Sequence, residues 1–124
     1  MKYLCLIYWD EKRADTLTEA ERELFEEECC VYAQELESSG RHVAAAVLEG
    51  ADDAATIRTS ENEISVTAGT ASADSSLLGG FYLVEARDLN EAIKIAARIP
   101  AGRFGYIEVR PVKRATKSGK GESE

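Results

Sequence analysis

The sequence predicts an α+β fold in which an antiparallel sheet carries two helices on one face. Three observations carry that expectation. The patterned segments run strand, helix, strand, short hairpin, strand, helix, strand; two of the strands are apolar on both alternating sets of residues; and both helical segments open on capping pairs.

The first strand is KYLCLIYW, residues 2–9. Tyr3, Cys5, Ile7 and Trp9 form one alternating set and Leu4, Leu6 and Tyr8 the other, so both faces call for cover. Asp10 to Thr16 reads as a polar connection. A helix follows from about Thr18 to Ser39, because Thr18 and Glu21 have capping-box spacing and Gly40 stands where a C-terminal cap belongs. Its apolar stripe is Phe25, Cys29, Tyr32 and Leu36, widened by Leu24 and Val31. Glu19, Glu21 and Glu23 suit the positive end of its dipole.

Arg41 to Leu48 reads as the second strand and Glu49 to Asp53 as a turn. Thr56–Thr59 and Glu63–Thr67 then alternate apolar and polar residues around Ser60–Glu61–Asn62, the pattern of an exposed hairpin. The run AGTASADSS, Ala68 to Ser76, has no periodicity and reads as a flexible loop. Gly79 to Glu85 is another strand apolar on both faces. Asp88 and Glu91 cap a second helix bearing Leu89, Ala92, Ile93 and Ala96 on one face, which Pro100 stops. Phe104 to Arg110 is the last strand. The domain is therefore expected over residues 1–112, with 113–124 a disordered polar tail almost without apolar content.

Two βαβ halves in this order build the ferredoxin-like arrangement, β-α-β-(ββ)-β-α-β. Its helices cover one face only, whereas residues 3–9 and 80–84 are apolar on both. The simplest cover for the second face is the same face of another copy, so a homodimer is expected.

Composition narrows the function. The 124 residues carry 15 Lys+Arg against 23 Asp+Glu, a net charge of −8, which argues against direct nucleic-acid binding because that needs a dense basic face. No apolar run approaches the roughly 20 residues of a membrane span, and the N-terminal apolar stretch is too short for a signal segment. Three cysteines without framework spacing fit a reducing, cytoplasmic setting. Leu78–Gly79–Gly80 lacks the spacing of a dinucleotide fingerprint and leads into a strand, so no cofactor is expected.

The N-terminal MKYLCLIY, the segment LGGFYLVEARDLNEAIKIAARIP (Leu78 to Pro100) and the terminal IEVRPV (Ile107 to Val112) resemble the YCII-related family, in its DGPF subgroup. The resemblance implies a ferredoxin-like fold that forms a dimeric α+β barrel, in a family with many members encoded beside or fused to extracytoplasmic-function sigma factors. Two departures matter. Where the subgroup carries its DGPF sequence this chain reads TAGTASADSSL, Thr67 to Leu77, keeping only Gly69. The His–Asp pair proposed for other YCII-type proteins is also missing: the first helix has no His, and Ile99 precedes Pro100. The resemblance therefore passes on no catalytic pair.

Five residues are candidate ligand contacts. His42, the single histidine, opens the second strand and has a side chain suited to proton transfer, against the plainer reading of an edge residue. Arg98 can bind a carboxylate or phosphate through two N–H groups, or simply favour a helix C-terminus. Tyr8, Tyr82 and Tyr106 offer aromatic surfaces with a hydroxyl, suited to a small, partly apolar ligand or to filling an interface. Adjacent Cys29 and Cys30 diverge by about 100° on a helix, so they read as packing residues rather than metal ligands, and no metal site is expected. The glutamates from Glu19 to Glu28 read as a solvated face. The expectation is a small-molecule-binding or regulatory homodimer without catalysis; the alternatives are an enzyme of isomerase- or oxygenase-like type using a cleft at the dimer barrel, and a protein-interaction module.

Overall fold

The computed structural model describes residues 1–114. Strand β1, Lys2–Trp9, runs through the middle of a four-stranded antiparallel sheet. A single helical turn, α1 (Glu11–Ala14), occupies the expected polar connection, capped by Asp10 through its bond from the Lys12 amide at 3.1 Å. The long helix α2, Glu19–Ser38, begins with the expected capping box. Thr18 Oγ1 accepts from the Glu21 amide at 3.1 Å, and the Thr18 amide donates to Glu21 Oε1 at 2.9 Å. At its far end Gly40 takes φ +79°, a left-handed conformation that a side chain would strain.

Strand β2, His42–Val47, leads into a separate hairpin of β3, Ala55–Ser60, and β4, Glu63–Ala68. The chain returns through β5, Leu78–Glu85, helix α3, Leu89–Ala97, a 3-10 turn at Pro100–Phe104 and β6, Gly105–Pro111. The sheet order is β2-β5-β1-β6. Every hydrogen-bonded pair in it is antiparallel, which places β1 and β5 at the centre. This is the ferredoxin-like order expected from the sequence.

The core lies between the sheet and the helices. Tyr3, Cys5 and Ile7 point into it from β1 and sit in register with Val84, Tyr82 and Gly80 of β5. Tyr32 and Leu36 descend from α2, and Ala92, Ala96 and Ile99 from α3 and its exit. Cys5 and Val84 have no exposed surface at all. The Tyr32 hydroxyl donates to the Ile95 carbonyl at 2.8 Å and ties the two helices together. Burial also pushes the Cys5 thiol up to about 11, so it packs as a neutral hydrophobe.

Several expected details change. Leu24 and Val31 do not widen the buried stripe of α2 but are exposed, because that helix meets the sheet only along the Phe25–Cys29–Tyr32–Leu36 line. On α3 the alanines Ala92 and Ala96 let the backbone approach the sheet, which turns Leu89 and Ile93 outward. Cys30 is exposed rather than packed, and Cys29 is half-buried. A 3-10 turn at Ser75–Leu77 overlaps the end of the segment read as loop, fastened by reciprocal Ser72–Ser75 bonds. Phe104 belongs to the preceding turn, not to β6. Of the expected tail, Lys113 and Arg114 are exposed and residues 115–124 lie outside the described residues.

Candidate functional site: the open sheet face

Alternation along β1 fixes what the uncovered face presents. Leu4 lies in register with Leu83 and Arg110, Leu6 with Phe81 and Glu108, and Tyr8 with Leu78 and Tyr106. Leu4, Leu6, Phe81 and Leu83 are only half-buried, shielded by one another and, among the described residues, by no other layer. Ala44 and Ala46 of β2 extend the face beside Leu83 and Phe81.

At one end of this face Tyr8 and Tyr106 stack, with ring centroids 4.7 Å apart and planes 16° from parallel. The cross-strand register causes the stack, since directly opposed residues on antiparallel strands project side by side. Gly105, the neighbour of Tyr106, is required for the approach: a Cβ there would run into the Tyr8 carbonyl. The Tyr8 hydroxyl lies 3.4 Å from Glu108 Oε1, to which it donates. Partial desolvation and the Glu108 carboxylate both raise the Tyr8 phenol above its ordinary value, which keeps it a neutral donor.

The other three candidates lie elsewhere. Tyr82 sits on the helix-covered side in register with Cys5, its ring edge-on to Tyr32 at 5.4 Å and to His42 at 6.4 Å. Among the described residues no carboxylate lies within 4 Å of His42, so it has no partner to orient it for proton transfer. Arg98 caps α3 and bridges to Glu35 of α2 at 2.8 Å. It borders a groove of about 180 Å³ with Tyr32, Ser39 and Arg41. Arg41 in turn pairs with Glu91, whose carboxyl the Arg87 amide and the Arg41 guanidinium hold below its ordinary range. Both guanidiniums of that groove are thus already engaged. The five sequence candidates therefore separate into Tyr8 and Tyr106 on the open face, His42 and Tyr82 at the β2 side of the core, and Arg98 between the helices.

One cluster was not anticipated. Trp9, Phe25 and Phe104 meet with ring centroids 5.2–5.6 Å apart at the end of β1. Arg103 lies over Phe25 and Phe104 while pairing with Glu28 at 2.6 Å. The rings come from three separate elements, and only the closure of the Pro100–Phe104 turn onto β1, through the Asp10 amide and Phe104 carbonyl at 2.7 Å, brings them together. No spacing in the sequence announces that. Among the described residues no three His, Cys, Asp or Glu side chains are grouped to hold a metal ion. No helix there is long and apolar enough to cross a membrane.

The strand order and the one-sided helices define a ferredoxin-like α+β protein whose described residues leave one sheet face open. Within that class the chain belongs to the YCII-related domain family, whose sequence pattern matches residues 1–116. Among solved structures it is similar to 5-chloro-2-hydroxyhydroquinone dehydrochlorinase from Burkholderia phenoliruptrix AC1100, in its complex with 2,5-dihydroxybenzoquinone. The likeness has a TM-score of 0.56 at 18% identity and covers 94% of this chain and 98% of the other. Comparison with curated proteins finds no match. At that identity the structural likeness bears on the fold.

Proposed function

We infer that this chain is a homodimer that binds a small, flat, partly apolar molecule between opposed sheet faces, as a binding or regulatory protein rather than a catalyst. The observation that carries the reading is the Tyr8–Tyr106 stack on an apolar face that nothing among the described residues covers. Stacked phenol rings offer a planar ligand a π surface, and the Tyr8 hydroxyl with Glu108 supplies a polar end. The structural neighbour's dihydroxybenzoquinone is a ligand of this chemical type. The absence of the His–Asp pair and the separation of His42 and Arg98 from the tyrosines speak for binding without turnover.

Native mass spectrometry of the protein from its own host tests the reading directly. A dimer carrying a defined extra mass, lost in Tyr106→Ala, is the expected result; a bare monomer overturns it. A second reading, an enzyme using the same cleft, draws on the neighbour being a dehydrochlorinase. Steady conversion of a substituted hydroquinone by the purified protein, abolished by Tyr8→Phe, would establish that reading instead.

A further inference from the structure

The β3–β4 hairpin is amphipathic along its whole length, and its apolar side faces solvent. Ala55, Ile57 and Thr59 lie in register with Ala68, Val66 and Ile64, which puts all six on one side. Thr56, Arg58, Ser60, Glu63, Ser65 and Thr67 form the polar side. Ile57, Ile64 and Val66 are 65%, 69% and 66% exposed, and Val47 at the root of the hairpin is more exposed still. The hairpin forms its own two-stranded sheet, apart from the main one. A two-stranded ribbon is marginal in water by itself, and an apolar stripe of this kind calls for a surface to lie on.

We propose that this hairpin is an arm that each copy lays across the other in the dimer, packing Ile57, Ile64 and Val66 on the partner beside the ligand cleft. The proposal rests on the dimer reading above and adds to it. Position favours a second copy as the occupant. The arm leaves the sheet where Val47 meets Gly80, and Leu78, the next strand's first residue, is in register with Tyr8. Its root is thus at the end of the sheet that carries the tyrosine stack.

Area favours it too. Four strands about 4.8 Å apart and about 20 Å long give the open sheet a flat footprint of about 400 Å². A stable interface buries about 800 Å² of accessible surface per partner, a measure that exceeds the flat footprint by the relief of the side chains. The arm's stripe, two strands wide and six residues long, adds about 200 Å² where it is given and about 200 Å² where it is received. A symmetric exchange does both in each copy and about doubles the footprint of the sheet face alone.

Two measurements on the full chain test this. Hydrogen exchange across a concentration series should show the amides of 55–68 protected in the dimer and open in the dissociated chain. Sedimentation equilibrium should show Ile57→Glu weakening self-association at least tenfold, with unchanged circular dichroism, while Arg58→Ala on the polar side of the same ribbon leaves it as it was. If Ile57→Glu and wild type dimerise equally and the arm amides stay unprotected, the arm proposal fails and the sheet-to-sheet dimer stands. If wild type is monomeric at every concentration, the dimer reading fails and takes the arm with it.

Discussion

The two faces of β1 are built from similar side chains and meet different surroundings. Tyr3, Cys5 and Ile7 are buried beneath α2 and α3, whereas Leu4, Leu6 and Tyr8, one step along at each position, stand on a face to which the described residues give no second layer. Hydrophobic content therefore does not decide burial within one chain; the number of layers does. Apolar surface on the covered face contributes to folding, at about 25 cal/mol per Å² removed from water. The same chemistry on the open face adds nothing comparable to folding, and in the function proposed above it serves association and ligand capture.

Substitutions on the two faces should part company accordingly. Val84→Asp places a carboxylate where no surface is exposed, and the resulting penalty of several kcal/mol is comparable with the whole stability of a small domain. Circular dichroism at 25 °C should show an unfolded chain. Leu6→Asp should instead leave the dichroism native and abolish self-association in sedimentation. Equal damage from both would break the comparison, since it would mean that the open face is part of the chain's own core.

Smaller changes sharpen it from the covered side. Thr18→Ala removes one half of the capping box and should cost about 1 kcal/mol in urea unfolding without changing the proposed self-association. Glu91→Gln should lower the melting temperature at pH 7. Because the folded-state carboxyl titrates below its ordinary 4.5, that loss is complete above pH 4.5 and fades as pH falls through the lowered value. A melting-temperature difference that stays constant down to pH 3 would rule the Arg41 and Arg87 contacts out as its source. Arg98→Ala should do least, at most about 0.5 kcal/mol, since its bridge to Glu35 is between two exposed side chains.

The architecture was largely legible in the residues because it is written in local patterns. Thr18 with Glu21, Asp88 with Glu91 and Gly40 marked helix ends that the structure places within a residue or two. The two-sided apolar character of KYLCLIYW marked the central strand. The site was less legible, for a physical reason. Tyr8 and Tyr106 are 98 positions apart, and only the β1–β6 register makes them neighbours. His42 and Tyr82 looked equally eligible, yet strand parity sends Tyr82 to the opposite side of the sheet from the tyrosine stack. A bulge between His42 and Ala44 disturbs parity on β2, which no composition rule reveals. Leu24, Val31, Leu89 and Ile93 matched helical periodicity but lie exposed, at the margins of the stripes that pack on the sheet.

The central place of β1 also has a consequence for how the chain is made. Both of its neighbours, β5 and β6, come from beyond residue 77, so Lys2 waits for Glu85 and Tyr3 for Pro111. At about 5–20 residues per second of synthesis, the most apolar strand spends several seconds without a hydrogen-bonding partner. Only α2 is available in that interval to shelter it. Folding must therefore be largely a late, long-range event, slow for a chain of this size and exposed to misassembly on crowded ribosomes.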